Sequence, residues 1–137
     1  MNKQELLKEL AGNTWVMLKP SPIEGIGVFA LQDIAKGCRE MFGKPDNAGD
    51  WISVSKNEID SLPAHAKFLV GNYCLYDKES YFVPSQGFKK MDISLFLNHA
   101  DEANIISIDD GDYFEATRDI KEGEELFIDY GQIVDGE

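Results

Sequence analysis

Two stretches of the chain decide its fold: FLNHADEAN at residues 96–104 and ATRDIKEGEELFIDYG at residues 116–131. The second begins with the pattern Ala-x-x-Asp-Ile-x-x-Gly, which also occurs at residues 30–37. In each copy we expect the aspartate to close a turn with its side chain and the glycine to provide a positive φ. Two copies are too few for a solenoid, which needs at least three contiguous units. The pattern therefore predicts two similar strand-turn-strand pieces packed in one β core.

Short strands dominate the rest of the chain. They are predicted at residues 15–18, 81–84, 105–108, 113–117 and 126–128, with a hairpin turn at residues 109–112. The turn residues 19–22 should end the first strand. A helix is predicted at residues 4–10, and a second follows a capping box of Ser55 and Glu58 and should be short or kinked at Pro63. The predicted fold class is mainly β.

The composition fits one folded domain with an acidic end. The chain has 137 residues, of which 43% are hydrophobic and 28% charged, and a domain usually takes about 100 to 200 residues. Its net charge is −12, and residues 101–137 hold 13 acidic but only 2 basic residues. This field repels nucleic acid and anionic membrane, whereas it either attracts a basic partner or only keeps the protein soluble. No apolar run suits a membrane span or a signal peptide, so we expect a cytoplasmic protein.

Generic catalytic and metal sites find little support in the sequence. The two histidines lie far apart, and Cys38 and Cys74 have no C-x-x-C spacing, so no metal site is expected and both cysteines are predicted to be buried thiols. A Cys–His nucleophile pair lacks a local signature. The paired acids at residues 109–110 and 124–125 lie at turns, where solvated carboxylates are ordinary.

A glycine pair precedes the second strand-like segment, in EGIGVFA at residues 24–30. Gly25 and Gly27 flank Ile26, which would let a ligand lie against bare backbone at the mouth of a strand. The third glycine of a dinucleotide fingerprint is absent and no helix follows. Taken alone, the segment favours a tight turn before a hairpin.

The glycine pair, Asn98-His99 and residues 116–131, in this order, resemble the SET-domain protein lysine methyltransferases. The likeness covers about residues 14–131, and the protein resembles a small stand-alone SET domain. The family fold is a β-clip-like set of small sheets with short helices, in which the chain end passes through a loop formed earlier. The resemblance implies a single SET domain over residues 1–137, with residues 1–12 as an N-terminal helix and residues 132–137 as a short acidic tail.

The resemblance also implies a reaction. Family members transfer a methyl group from S-adenosylmethionine to a lysine side chain and release S-adenosylhomocysteine; the substrate here would be a basic protein such as a histone, a histone-like protein or a ribosomal protein. The implied cofactor-binding residues are Gly25, Ile26, Gly27, Asn98, His99 and Tyr130. Tyr130 matches the catalytic tyrosine, whose role would be to hold nitrogen, methyl and sulfur in line. The attacking amine must be neutral, which burial beside a sulfonium favours.

The same comparison implies a narrow lysine channel. Ser107 and Ile128 correspond to positions that often carry an aromatic ring, so a roomier channel and multiple methylation are predicted. Tyr73, Tyr76 and Tyr81 are further candidates for the channel wall, and core packing is the expected role for at least one of them.

The chain departs from the family at two places. Ala100 and Ala103 replace the serine and proline of the pattern Asn-His-Ser-x-x-Pro-Asn, and only residues 131–137 follow Tyr130. Without a C-terminal zinc segment, the channel is expected to stay open or to take a wall from a second subunit of a homodimer. A catalytically silent SET-like module that binds a basic protein is the main alternative. An acidic mimic of nucleic acid explains the charge but not the three motifs. A histone substrate would move the expected location to a nucleus or a host cell.

Overall fold

The computed structural model describes residues 2–42, 51–85, 87–89, 92–108 and 113–134. Its α-helices are α1 (Lys3–Gly12), α2 (Lys56–Asp60) and α3 (Ala64–Tyr73), and a short 3-10 helix covers Ile93–Phe96. Its strands are β1 (Val16–Pro20), β2 (Ile26–Ala30), β3 (Trp51–Ser55), β4 (Leu75–Tyr76), β5 (Ser80–Pro84), β6 (Asn98–His99), β7 (Ile105–Ile108), β8 (Tyr113–Ala116) and β9 (Glu125–Val134). The fold is mainly β, as predicted.

The strands form two sheets. The larger has the order β1-β2-β9-β7-β8, with β6 also paired to β9, and the smaller has the order β3-β5-β4. Neighbouring strands run antiparallel except where β9 pairs with β6 and β7, which are parallel to it. Strand β9 is therefore the centre of the larger sheet.

The predicted passage of the chain end across an earlier loop is confirmed at β9. Ile128 of β9 pairs with His99 of β6 and also with Ile105 of β7, so these two strands lie on opposite edges of β9. The segment between them must cross β9. Asn104 in that segment is almost fully buried, with 1% of its surface exposed, and its side chain donates to the Glu125 carbonyl and accepts from the Phe127 N–H. This buried amide joins the crossing segment to the strand beneath it.

The two Ala-x-x-Asp-Ile-x-x-Gly pieces pack against each other. Ile34 and Ile120 pair across an antiparallel bridge and both are buried in the main core. Gly37 and Gly123 have φ values of 90° and 89°, the left-handed region that glycine enters without steric cost. The two pieces pack in one core, as predicted, but among the described residues only the second piece has a strand on both sides of its turn, β8 and β9.

The aspartates of these pieces do not close their own turns. Asp33 accepts instead from the Glu122 N–H of the other piece, and Asp119 accepts from the Lys36 N–H of the first, both at 2.8 Å. The predicted local turn closure is wrong because each turn lies beside the other, where its free N–H groups can be reached across the bridge.

The hydrophobic residues divide into two clusters. The main core joins strands of the larger sheet, whereas Ile59, Val70 and Cys74 form a second cluster under the smaller sheet. Burial raises the pKa of the Cys74 thiol to about 12. Cys38 is only partly buried, so the prediction of a buried thiol is correct for one cysteine and wrong for the other.

The predicted helix starts and most strands are confirmed, but several elements extend beyond their predicted bounds; helix α1, for example, continues to Gly12. Strand β1 continues through Pro20, since proline is tolerated where a strand lies at the edge of a sheet. Helix α3 continues to Tyr73 after the break at Pro63. Strand β9 continues to Val134, because β7 pairs with it as far as that residue; residues 132–134 therefore belong to a strand and not to a tail. The predicted turn at residues 109–112 lies outside the described residues.

Candidate active site

A cleft of about 640 Å³ lies between the turn before β2, strand β6 and helix α3. Its volume is in the range of about 300–1,000 Å³ that is usual for small-molecule sites. We call its side formed by residues 23–26, Asn98, His99 and Tyr130 the core wall. We call its other side the helix wall, formed by Phe68, Gly71, Asn72 and Tyr73.

The helix wall is one face of α3. Phe68, Gly71 and Asn72 have the i, i+3, i+4 spacing that puts side chains on one side of a helix. The opposite face is anchored by Val70, which is buried with Cys74 in the second cluster. A Cβ atom built at Gly71 has no neighbouring atom within 4 Å, so the missing side chain leaves open space in the cleft.

Asn98 is the most buried polar side chain of the core wall. It lies in the short strand β6, with 9% of its surface exposed. Its amide nitrogen donates to the carbonyl of Glu24 at 3.0 Å and to the carboxylate of Glu125 at 2.8 Å. These two bonds fix the side chain at the bottom of the cleft.

His99 is held against Tyr130. Its Nδ1 accepts from the Tyr130 N–H at 3.1 Å, and the two rings meet edge to face with centroids 5.6 Å apart. The neutral imidazole therefore carries its hydrogen on Nε2, which lies 3.2 Å from Asp101. Asp129 lies 3.7 Å from Nδ1, but that nitrogen already accepts a hydrogen bond, so Asp129 becomes a partner only if the ring is protonated.

The hydroxyl of Tyr130 donates to the backbone carbonyl of Leu97 at 2.5 Å. Burial, then the neighbouring Tyr73 and Glu24, raise the pKa of the Tyr130 phenol to about 12. Each cause penalises a phenolate, so the hydroxyl stays protonated at physiological pH. The structure thus brings together three residues that the sequence singled out: Asn98, His99 and Tyr130.

A second, narrow cavity meets the cleft at Tyr73, Leu95 and Tyr130, which line both. Its volume is about 10 Å³, room for about one water molecule. The other lining residues are mainly apolar: Trp51, Leu75, Ser94, Leu97, Phe114 and Ile128. Among the described residues, the buried Ser94 hydroxyl has no hydrogen-bond partner.

The predicted channel residues fall in different places. Tyr73 and Ile128 line the narrow cavity. Tyr76 and Tyr81 pair with each other in the smaller sheet, at 5.9 Å between centroids, and are not among the described residues that line either cavity. Ser107 is fully buried in β7, where it pairs with Phe114 of β8, and it is not among the described residues that line the cavity.

The two glycines of the predicted pair have different roles. Gly25, with φ of 44°, lines the cleft together with Ile26. Gly27 is not among the described lining residues, and a Cβ atom built on it would lie 2.2 Å from the Glu125 carboxylate. Its missing side chain makes room for that carboxylate.

Of the helix wall, sequence reasoning named only Tyr73, and it missed most of the narrow cavity. The i, i+3, i+4 spacing of Phe68, Gly71 and Asn72 was a usable signal that these residues share one face of a helix. Trp51 and Ser94 carried no local signal, since only the tertiary packing of β3 and of the 3-10 helix brings them to the cavity that Tyr130 lines.

The SET-domain family model matches residues 25–131, which include the helix wall and all of the core wall except residues 23 and 24. This chain belongs to the SET-domain family. Among solved structures, a Plasmodium falciparum protein named as a candidate histone methyltransferase has a similar fold, with a TM-score of 0.53 and 19% identity over 87% of this chain and 95% of the other. No curated protein matches the sequence significantly.

SET domains generally use S-adenosylmethionine, and the cleft of this SET domain is suited to it. The core wall offers the acidic side chain of Glu24 and the amide oxygen of Asn98 to a cationic ligand. The helix wall offers an aromatic ring at Phe68, which is 67% exposed. A ligand with an ammonium, a sulfonium and an adenine ring therefore meets matching groups on the two sides.

Two negative findings apply to the described part of this SET domain. Within those ranges, no three His, Cys, Asp or Glu side chains are placed so that they could hold a metal ion. None of the described helices has both the length and the apolar character needed to cross a membrane.

Proposed function

We propose that this SET domain is a protein-lysine N-methyltransferase that uses S-adenosylmethionine. The observation that carries the proposal is the place of Tyr130, which lines both the open cleft and the narrow apolar cavity. A group transferred from one ligand to another must cross such a junction. The protonated phenol stands at that point.

The cleft would hold the cofactor, which supplies an activated methyl group on a sulfonium. Gly25 and Ile26 would lie along its methionine part, Asn98 would accept from the amino group, and His99 would contact the adenine end. Gly27 would act through Glu125 and not by direct contact.

The narrow cavity would receive the side chain of the substrate lysine. Its apolar wall disfavours an ammonium and so favours the neutral amine that attacks. Tyr130, held by the Leu97 carbonyl and by His99, would orient the reacting groups. The cavity must widen when lysine enters, because it now has room for about one water molecule.

The proposed substrate is a lysine-rich basic protein, of which histones, histone-like proteins and ribosomal proteins are examples. The net charge of −12 and the acidic residues 101–137 support it, because complementary charge speeds encounter. The same charge leads us to propose no direct binding of nucleic acid or membrane. We place the activity in the cytoplasm, or in a nucleus or host cell if the substrate is a histone, and a homodimer is the proposed means of closing the channel.

Addition of several methyl groups is part of the proposal. The side chain at Ile128 lines the cavity without a hydroxyl that would crowd the amine. Mass spectrometry of the methylated product tests this point, and a product that stops at one methyl contradicts it.

A catalytically silent module is the second candidate, favoured by the small size of the narrow cavity. The deciding experiment incubates the protein with labelled S-adenosylmethionine and a mixture of basic proteins. Tyr130→Phe should reduce labelling by roughly 100-fold or more and retain binding of S-adenosylhomocysteine. Tyr113→Phe, at a partly buried tyrosine in β8, is the matched control and should label normally.

The outcomes separate the candidates. If the wild type binds the cofactor but labels no basic protein, the silent module is correct. If it does not bind the cofactor, the assignment of the cleft is wrong.

A further inference from the structure

The side-chain amide of Asn98 has a defined orientation. Its nitrogen donates to the Glu24 carbonyl and to Oε2 of Glu125. A carbonyl and a carboxylate can only accept, so neither would be a partner for the amide oxygen. Both amide hydrogens are thus in use, and Oδ1 remains as an acceptor for a ligand in the cleft that Asn98 lines.

Glu125 is itself held in place at both carboxylate oxygens. Oε1 accepts from the hydroxyl of Ser21 at 2.8 Å, while Oε2 accepts from Asn98. The Ser21 oxygen in turn accepts from the Ile23 N–H at 3.0 Å. The carboxylate therefore connects the turn before β2 to strand β6, and it cannot rotate without breaking one of these bonds.

Gly27 is the residue that admits this carboxylate. A Cβ atom at position 27 would lie 2.2 Å from Oε2 of Glu125 and 3.1 Å from the amide nitrogen of Asn98. Its φ is not in the left-handed region. Space for Glu125, and not backbone conformation, is thus the reason for glycine at this position.

We propose that Glu125 is a positioning residue for cofactor binding, which fixes the Asn98 amide so that its oxygen faces the α-amino group of S-adenosylmethionine. This inference rests on the proposed function. The hydrogen bond from Asn98 to a carboxylate polarises the amide and makes its oxygen a better acceptor. The negative charge behind the amide also favours an ammonium in front of it. A site built in this way should reject a ligand that lacks the amino group.

The test compares two ligands, S-adenosylhomocysteine and its analogue without the α-amino group, by calorimetric titration. The wild type should bind the amino-bearing ligand roughly tenfold to a hundredfold more tightly than the analogue. Glu125→Ala should lower affinity for the amino-bearing ligand and leave affinity for the analogue unchanged, so the preference falls to about one. Glu125→Gln should keep most of the preference, because its oxygen can accept from Asn98 and its amide can donate to Ser21.

A second variant tests the same loss of ligand preference without changing Glu125. Gly27→Ala should displace the carboxylate and remove the preference in the same way, so the inference stays testable if Glu125→Ala does not fold. Glu122→Ala removes an exposed acid from the turn that precedes β9 and is the control for loss of charge. It should keep the wild-type preference.

Each outcome decides between this inference and the proposed function. A wild type that binds neither ligand overturns the assignment of the cleft and this inference with it. A wild type that prefers the amino-bearing ligand, with folded Glu125→Ala or Gly27→Ala variants that keep that preference, overturns the role of Glu125 alone. Equal weakening of both ligands in these variants means a purely structural role and overturns it as well.

Discussion

The core wall and the helix wall of the cleft are constructed by different forces. On the core wall, the amide of Asn98 is bonded to the Glu24 carbonyl and to the carboxylate of Glu125. The strand that holds Glu125 is in turn bonded to the buried amide of Asn104, which supports this wall from the crossing segment. On the helix wall, one face of α3 is anchored by apolar burial at Val70, while its other face presents Phe68 and the open space at Gly71. The core wall therefore presents polar groups in fixed directions, whereas the helix wall presents an aromatic surface and a space of defined shape.

The difference predicts what each wall tolerates. Hydrogen bonds are directional, and a buried partner left without its bond costs far more than the bond contributes on average. The core wall should therefore lose stability when one residue changes. On the helix wall, the bond from the Asn72 amide to the Phe68 carbonyl is exposed to solvent, so changes there should alter ligand affinity and leave folding intact.

The largest expected effect is on folding, at Asn104. Asn104→Ala removes two hydrogen bonds to β9 and leaves a carbonyl and an N–H of that strand, both partly buried, without their partner. We expect a loss of about 3 kcal/mol in the free energy of unfolding, measured by chemical denaturation. Asn72→Ala, which removes the exposed amide on the helix wall that donates to the Phe68 carbonyl, is the control and should cost about 0.5 kcal/mol or less. Similar losses for both variants would remove the distinction between the walls.

The next effect is on affinity, at Gly71. Gly71→Leu should fill the open space of the cleft and weaken binding of S-adenosylhomocysteine by roughly 30-fold. Its melting temperature should stay equal or rise, because leucine is a better helix former than glycine. Gly71→Ala is the control: it should stabilise the protein by about 1 kcal/mol and change affinity by less than about threefold. Normal binding by the leucine variant would mean that the ligand does not contact the helix wall.

A smaller effect is expected at Phe68, whose ring is 67% exposed. Phe68→Ala should leave the free energy of unfolding within about 0.5 kcal/mol of the wild type and weaken S-adenosylhomocysteine by roughly fivefold, the value of one aromatic contact. Leu62→Ala, at an exposed apolar residue outside the cleft lining, should change neither quantity. A large loss of stability in Phe68→Ala would show that the ring packs as part of the core.

The effect that is smallest at neutral pH concerns Tyr130, where the two walls meet, because it emerges only at alkaline pH. Because its phenol pKa is raised to about 12, from about 10 in an unfolded chain, the folded state favours the neutral form. Its contribution to stability should be complete below pH 10 and be lost as the pH rises from 10 towards 12. The difference in tyrosinate absorbance between wild type and Tyr130→Phe should have its midpoint near pH 12. Tyr73→Phe should lower that midpoint slightly, and a midpoint near 10 would contradict the burial of the phenol.

The motifs of the core wall could be recognised from the sequence because they depend on particular residue types. Asn98, His99 and Tyr130 have functional side chains, and the order of the motifs along the chain indicated the family. The glycine at position 27 was also recognisable, but its reason was not, because the carboxylate that requires it comes from Glu125, far along the chain. Likewise, each Asp-Ile-x-x-Gly turn was recognised from its residue types. That Asp33 and Asp119 each accept from a backbone N–H of the opposite turn depends on the contact between the two turns.

The sequence by itself determined the mainly β class, the family, the break at Pro63 and the core-wall residues Asn98, His99 and Tyr130, because these follow from local propensity and from residue types in a fixed order. Only the tertiary structure decided that Tyr76 and Tyr81 lie outside the cavities, that α3 forms a wall of the cleft, and that Glu125 stands behind Asn98. These relations join residues from separate strands and helices. They arise from the crossing at β9 and the packing of the smaller sheet, and a pattern of neighbours along the chain does not encode such distances.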